Sequence, residues 1–200
     1  MDPALMGAIA TANWVEGGES DYLSIFNTDS VTAADKTSTI KRVHLACTGT
    51  LDNVRGIYSY HWRLFFQLTP VEANLVEKRS VELHVTLLNK GTGMANTIAM
   101  SRNYENTHRS VATTYWDVVD DEWTVNDMLN LIIHDKKRSR FLFDVASGSG
   151  CACWCIAVLG DIEDAGKFSS GVKKAAVEFV NEAARERGLP VPPPRGIFYD

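Results

Sequence analysis

Residues 60–68 read Tyr60-His61-Trp62-Arg63-Leu64-Phe65-Phe66-Gln67-Leu68, the clearest strand pattern in the chain. Apolar or aromatic side chains recur at every second position, and the positions between them are more polar. A period of two places successive side chains on opposite faces of a sheet. This stretch is therefore predicted to be a strand with one apolar face, and to carry His61 and Arg63 on the other.

Segments of similar character flank this strand. Residues 40–48 and 80–88 alternate in the same way, and residues 97–103 and 110–118 are two further strand candidates. Pro70 ends the central strand, because proline has no N–H to donate to a ladder of hydrogen bonds. The middle of the chain is predicted to be an antiparallel meander.

The last third of the chain changes to a helical period. Thr124 and Asp127 form a capping-box pattern before an apolar run, and a short strand is expected at 139–145. Helices are predicted from 151 to about 165 and from about 170 to 187, followed by an extended proline-rich tail. The predicted fold class is α+β: an antiparallel meander with the C-terminal helices packed on one face. Residues 1–39 are predicted to be irregular, with a short strand at 22–26, and residues 40–200 to form one domain.

Composition narrows the classes of function. The 200 residues have a net charge of −5, 45% hydrophobic residues and four cysteines. An acidic chain argues against a nucleic-acid partner, and the basic run of residues 136–140 is interpreted as a solvated turn. No apolar window is long enough to cross a membrane, and we expect no signal peptide. Three cysteines lie within five residues, which does not suit a disulfide framework, so a reducing, cytoplasmic location is expected.

The segment Gly148-Ser149-Gly150-Cys151-Ala152-Cys153-Trp154-Cys155 carries the strongest chemical signal. A thiol in the first turn of a helix meets unpaired N–H groups and the positive end of the helix dipole, which favour a thiolate. Only Cys151 holds that position. A helix-start amide could also stabilise an oxyanion. Two alternatives stay open: three small buried side chains, or a soft-metal site. The spacing lacks a zinc pattern, so no metal is expected.

A nucleophilic cysteine needs a base, and the base needs an orienting partner. His61 and His84 both lie on the polar face of a strongly patterned strand, and a hairpin would bring them together. The other histidines have ordinary structural explanations. The candidate catalytic set is therefore Cys151, His61 and His84.

Aromatic side chains on the same segments are candidates to shape a pocket for a small-molecule substrate. The predicted substrate-binding residues are Tyr60, Trp62, Arg63, Phe65, Trp116 and Trp154, with Arg63 able to polarise the substrate. No cofactor is expected, since the two glycine pairs at 91–93 and 148–150 are too short for a phosphate-binding fingerprint.

The motifs Tyr60–Leu68, Ser80-Val81-Glu82-Leu83-His84 and Gly150-Cys151-Ala152-Cys153-Trp154, with the segment 161–166, resemble a family of uncharacterised fungal proteins over residues 40–200. The order of a strand histidine, a polar residue on the next strand and a helix-start cysteine also resembles circularly permuted papain-fold enzymes, such as the lecithin:retinol acyltransferase-like group. That resemblance implies that Cys151 is the nucleophile, His61 the base and His84 the third polar residue. The chain departs from the group at Gly150, where the group has asparagine.

Three functions are consistent with these observations. The first is a cysteine-dependent hydrolase or acyl transferase acting on a small or acyl substrate. The second is a non-covalent, pericyclase-like cyclase or isomerase of fungal secondary metabolism, with an aromatic-lined pocket. The third is a binding protein without chemistry. The relation between Cys151 and His61 in space discriminates between them, and the oligomeric state stays open.

Overall fold

A computed structural model describes residues 26–52, 57–70 and 78–199 of the chain. Their elements, in chain order, are β1 (Phe26–Ser30), α1 (Ala33–Lys36), β2 (Ile40–Asp52), β3 (Ile57–Leu68), β4 (Ser80–Asn89), β5 (Met94–Arg102), β6 (Ser110–Asp117), α2 (Val125–Leu129), a π-helical turn (Asn130–Asp135), β7 (Phe141–Leu142), α3 (Cys151–Asp164), α4 (Val172–Glu186) and β8 (Ile197–Phe198).

The strands form one sheet in the order β6-β2-β3-β4-β5-β7-β8, and β1 also pairs with β5. Strands β2 to β5 are an antiparallel meander, as their alternation predicts. The predicted α+β class is confirmed. Strand β6 pairs with β2 rather than with β5, and β1 runs parallel to β5. Side-chain periodicity encodes the faces of a strand but not its neighbours, so these two pairings were not predicted.

Alternation divides the sheet into a helix-covered face and an opposite face. On the helix-covered face, Leu45 of β2, Leu64 of β3 and Leu83 of β4 lie side by side, fully buried. Helix α3 packs against β3 and β4, and α4 packs against α3. Apolar burial of this kind stabilises a fold by about 25 cal/mol for each Å² removed from water. The core therefore lies between the sheet and these two helices.

Helix α2 begins with the capping box that the sequence predicts. The Asp127 N–H donates to the Thr124 hydroxyl, and the Thr124 N–H donates to the Asp127 carboxylate. These two bonds satisfy backbone donors that the start of a helix otherwise leaves free. Among the described residues, no helix combines the length and the apolar character needed to cross a bilayer.

The basic turn at residues 136–140 is less solvated than its composition indicated. Arg138 donates to the Asp161 carboxylate of α3 from Nε at 2.5 Å and from Nη2 at 2.8 Å. Its carbonyl oxygen accepts the indole N–H of Trp154 at 2.7 Å. A bidentate arginine–carboxylate pair fixes orientation as well as distance. The turn thus holds α3 in place.

The two ends of the chain differ most from the sequence prediction. Of residues 1–39, predicted to be irregular, the described part contains β1 and α1. The strand expected at 22–26 lies outside the described residues apart from Phe26. The strand expected at 139–145 is limited to Phe141–Leu142, which pairs with β5 and with β8 in the proline-rich tail. Both differences arise from pairing between segments distant in sequence.

Candidate active site

Strands β3 and β4 pair along only part of their length. Their ladder runs from Gln67–Ser80 to Leu64–Leu83 and ends there, although both strands continue. Beyond that point β3 stays paired with β2, and β4 stays paired with β5. The two strands therefore diverge. We call this opening the fork, and define it as residues 60–63 of β3 and residues 84–87 of β4.

A cavity of about 650 Å³ occupies the fork. Tyr60 and Trp62 contribute from the helix-covered face of β3, while His61 and Arg63 contribute from the alternate positions. Residues from both alternate sets of β3 therefore contribute to the cavity wall. Other walls come from the loop at 147–150, the start of α3, the end of α4 and the tail at 189–194. Its volume lies in the range of sites for small molecules, roughly 300–1,000 Å³.

The side chains of His61 and His84 meet across the fork. His61 Nε2 lies 2.8 Å from His84 Nδ1, and the rings are edge to face. This confirms the expectation that the strand pairing brings the two histidines together. Burial lowers the pKa of His61 to about 3, and the positive charges of protonated His84 and of Arg63 add to the effect. Burial, Arg63 and Arg102 lower the pKa of His84 to about 3. Both rings are therefore neutral near pH 7.

Glu82 determines which nitrogens carry the protons. It is fully buried, two residues before His84 on the same face of β4, and forms ion pairs with Arg63 and Arg102. Its Oε1 lies 3.9 Å from His84 Nε2, so its charge favours a proton on that nitrogen. We therefore assign His84 Nδ1 as the acceptor and His61 Nε2 as the donor. His61 Nδ1 is left with a free lone pair.

Cys151 is the first residue of α3 and lies in the cavity wall. Its Sγ accepts a hydrogen bond from the Trp62 N–H at 3.5 Å. The backbone N–H groups of Gly150, Cys151 and Ala152 also act to lower the pKa of the thiol, but burial acts in the opposite direction and is stronger. The pKa of Cys151 is therefore raised, and the resting group is the thiol.

Glycine is required immediately before this cysteine. Gly150 has φ +155°, which L side chains rarely adopt, and a Cβ there would lie 3.0 Å from Phe141 Cζ. As the N-cap of α3 it offers no side-chain hydrogen bond. The first amides of α3 consequently remain directed at the thiol, instead of being satisfied by a capping side chain.

Cys151 and His61 line the same cavity without being hydrogen-bonded partners. Among the described residues, the hydrogen bond to Cys151 Sγ comes from the Trp62 backbone and not from an imidazole. Strand alternation explains this arrangement, because Trp62 faces α3 and its neighbour His61 faces away. Both residues nevertheless contribute to the lining of one cavity at the fork.

The other thiols have different surroundings. Cys155 is fully buried, and burial raises its pKa well above the ordinary value. Cys153 is half-buried in the next part of the helix. Cys47 of β2, which the sequence did not single out, also lines the cavity. Within the described ranges, no group of three or more His, Cys, Asp or Glu side chains is arranged to hold a metal ion.

The aromatic candidates fall into two sets. Tyr60 and Trp62 line the cavity together with Arg63. Phe65 instead lies fully buried on the opposite face, beside Tyr104. Trp154 is fully buried and donates to the Arg138 carbonyl oxygen. Trp116 packs on the core from β6, the edge strand next to β2. These last three therefore have packing roles, since the sequence pattern does not distinguish an aromatic in a core from one in a cavity wall.

Residues 43–199 match the family described as "Domain of unknown function (DUF7770)". The chain belongs to the DUF7770 family. The match extends from β2 to the tail beyond β8, so it contains the fork, both histidines and α3. No curated protein and no solved structure matches the chain. The function of this DUF7770 domain must therefore be argued from its site.

Four parts of the site in the DUF7770 domain were not predicted from sequence. Glu82 could have been identified from the sequence, because it lies two residues before His84 and therefore on the same polar face of β4. Arg102 and Cys47 reach the site only through strand pairing. The wall formed by the end of α4 and the proline-rich tail is brought there by the packing of elements far apart in sequence, which no local pattern indicates.

Proposed function

We propose that the protein is a cysteine-dependent hydrolase or acyl transferase, with Cys151 as nucleophile, His61 as base and His84 as orienting partner. The observation that carries this proposal is the His61–His84 hydrogen bond beside a cavity that a helix-start thiol also lines. The order of these residues along the chain is similar to that of circularly permuted papain-fold enzymes. The free lone pair assigned to His61 Nδ1 provides the basic nitrogen.

The shifts in the pKa values of Cys151 and His61 indicate how the thiol is activated. The pKa of Cys151 is raised and that of His61 is lowered, so a thiolate–imidazolium pair is not the resting state. The proton therefore moves to His61 Nδ1 as the carbon–sulfur bond forms, with substrate binding closing the gap between the two groups. General-base assistance of this kind contributes typically about 10²–10⁴-fold in rate.

The reaction follows in two balanced steps. Cys151 Sγ attacks the acyl carbon, and the leaving group departs with the proton that His61 took from the thiol. Water, or an acceptor alcohol or amine, then attacks the thioester while His61 removes its proton. The thioester breaks, the acyl product leaves and the thiol regains its proton. The N–H groups at the start of α3 are placed to stabilise the negative charge on the tetrahedral oxygen.

The test is acylation of the full-length protein by p-nitrophenyl esters from acetate to octanoate. We expect a burst of p-nitrophenolate, and an acyl group on the peptide containing Cys151 by mass spectrometry. Cys151→Ala should abolish the burst, and His61→Gln should slow it by about 10²-fold or more. Cys153→Ala is the matched control, because it removes a thiol two residues along the same helix and should leave the burst unchanged.

Two outcomes would overturn this proposal. One is the absence of an adduct at Cys151 throughout the ester series. The other is an undiminished burst in Cys151→Ala. Circular dichroism and thermal unfolding of each variant establish that a lost burst reflects chemistry and not a loss of folding.

The burial of Cys151 favours one alternative. This residue is only 8% exposed and its thiol has a raised pKa, which suits a cavity wall as well as a nucleophile. A non-covalent cyclase or isomerase of fungal secondary metabolism would use the neutral imidazoles as donors and acceptors, with Tyr60 and Trp62 shaping the substrate. Turnover of a cyclisation substrate that survives Cys151→Ala and is lost in His61→Gln would establish this alternative.

A further inference from the structure

We infer that the fork cavity binds an amphipathic carboxylate: a small molecule with an anionic head held at Arg63 and an apolar body along the wall formed by α4 and the tail. This inference deepens the proposed function, and it depends on that function for treating the ligand as a substrate or product. The binding itself requires no covalent chemistry.

The charges around the cavity favour an anion. Arg63 and Arg102 share one carboxylate, that of Glu82, so two positive charges face one negative charge. The adjacent histidines are neutral at pH 7 because burial and the charge of Arg63 lower the pKa of each to about 3. Among the described residues that line the cavity, none is Asp or Glu. Within residues 26–52, 57–70 and 78–199, one positive charge therefore lacks a compensating partner at the His61 end.

Arg63 also has an unused hydrogen-bond donor. Its guanidinium donates to Glu82 through Nη1, whereas its buried Nε has no hydrogen-bond partner within the described structure. Hydrogen bonds between a guanidinium and a carboxylate are among the strongest in proteins. The Nε itself is sealed from solvent, but about 29% of the Arg63 side chain is exposed, and a carboxylate bound there would neutralise the excess positive charge.

The opposite part of the cavity is apolar. Its wall is formed by the end of α4 and the tail, with Ala183, Ala184, Leu189, Pro190, Pro193 and Pro194. The proline ring fixes the backbone φ of its residue, so this surface is pre-formed and loses little conformational entropy when a ligand binds. Burial of the aliphatic or aromatic part of a ligand against this wall is favourable. A second charged group on the ligand would meet no unpaired charge of opposite sign among the described residues of the wall.

Arg187 is the second arginine in the cavity wall, and its donors are already engaged. Nη1 donates to the Ala183 carbonyl oxygen at 2.7 Å and contacts Glu186 at 3.2 Å, while Nη2 donates to the Val111 carbonyl oxygen at 2.5 Å. Its charge is thereby paired, and its geometry links α4 to β6. The anion site is consequently assigned to Arg63.

The test compares ligands of one chain length by isothermal titration calorimetry on the full chain. The probes are octanoate, octanol and octylammonium at pH 7.5. We expect octanoate to bind at least tenfold more tightly than octanol, and octylammonium to bind more weakly than octanol. Arg63→Gln should reduce the octanoate affinity about tenfold, equivalent to about 1.4 kcal/mol, and leave the octanol affinity unchanged.

Two variants make the result specific. Arg102→Gln removes the other ion-pair partner of Glu82, and Arg102 lies outside the cavity wall. This variant should change the selectivity for octanoate by no more than about threefold. Because Glu82 loses one partner in either variant, the comparison controls for the loss of an ion pair at Glu82. Cys153→Ala, which changes a residue outside the cavity wall, should bind octanoate like the unmodified protein. Equal affinities for octanoate and octanol, or selectivity that survives Arg63→Gln, would overturn the inference.

The same variants separate this inference from the proposed function. Acylation of Cys151 together with equal binding of octanoate and octanol would refute the anion site and leave the cysteine chemistry standing. Selective octanoate binding without acylation by any ester would refute the cysteine chemistry and leave the anion site standing.

Discussion

Strands β3 and β4 pair with each other over one half of their length, which we call the closed half, and diverge over the other half. In the closed half, Leu64 pairs with Leu83 and Phe66 with Val81, and all four side chains are fully buried. In the open half, the fork, the same two strands pair only with their outer neighbours and enclose a cavity. Apolar side chains continue on the helix-covered face through both halves, so the pattern of that face does not cause the opening.

The opposite face carries buried polar groups in both halves. In the closed half Glu82, Gln67 and Ser80 are buried beside Phe65, whereas the fork carries His61 and His84, whose side chains bridge the gap. A buried polar group is stable only when it is hydrogen-bonded, and the imidazole pair satisfies that requirement without backbone pairing between the strands. The closed half thus supplies stability, and the fork supplies a cavity that His61 lines, with His84 hydrogen-bonded to it.

The largest expected effect comes from truncating the same residue type in each half of β4. Leu83→Ala in the closed half should lower the free energy of unfolding by about 3 kcal/mol, because it leaves a void in a fully packed core. Leu87→Ala in the fork should cost about 1 kcal/mol or less, because Leu87 is half-buried and already faces the cavity. Urea unfolding measures both.

This pair of variants tests the comparison directly. Equal losses of stability would mean that the fork is packed as tightly as the closed half, and that the cavity does not exist in solution.

A second, smaller effect is expected at Glu82, which joins the halves. Breaking a buried ion pair costs roughly 3–5 kcal/mol, but about 30% of each arginine side chain stays exposed. We therefore expect Glu82→Gln to lower the free energy of unfolding by about 2 kcal/mol, after the discount for solvent screening. The imidazole ¹⁵N shifts should also show that His84 no longer holds its proton on Nε2.

Glu186→Gln is the matched control for that change. Glu186 forms an ion pair with Arg187 but is largely exposed, and surface pairs contribute about 0–1 kcal/mol. Unchanged stability and unchanged ¹⁵N shifts in Glu82→Gln would show that Glu82 does not position the histidine pair.

The third prediction concerns how the stability of the fork depends on pH. The pKa of His61 and of His84 is lowered from 6.5 to about 3 in the folded protein. Between these values the unfolded chain binds protons that the folded chain does not, so stability decreases as the pH falls from about 6.5 to about 3. We expect a slope of up to about 1.4 kcal/mol per pH unit for each imidazole.

Urea unfolding between pH 7.5 and pH 4 measures this slope. The double variant His61→Gln/His84→Gln should flatten it, and replacement of the exposed His134 by glutamine should not. A slope that persists in the double variant would place the responsible groups elsewhere.

The sequence predicted those features that depend on local physics. The alternation of residues 60–68 and 80–88 identified two strands and their faces, and the Thr124–Asp127 box identified the start of α2. It also placed Cys151 at the first turn of a helix and brought His61 and His84 to one face. Each of these follows from the fixed geometry of a strand or a helix, in which spacing along the chain determines direction in space.

Only the tertiary structure decided which of these residues share a cavity. Nothing in the strand pattern of β3 and β4 marks where their ladder stops, because alternation encodes the faces of a strand and not the extent of its pairing. The alternation that placed His61 and Trp62 on opposite faces of β3 also keeps the imidazole from hydrogen-bonding Cys151, although both residues line one cavity. The position of Glu82 between two arginines, and the tail that closes the cavity, likewise depend on contacts between segments far apart in sequence.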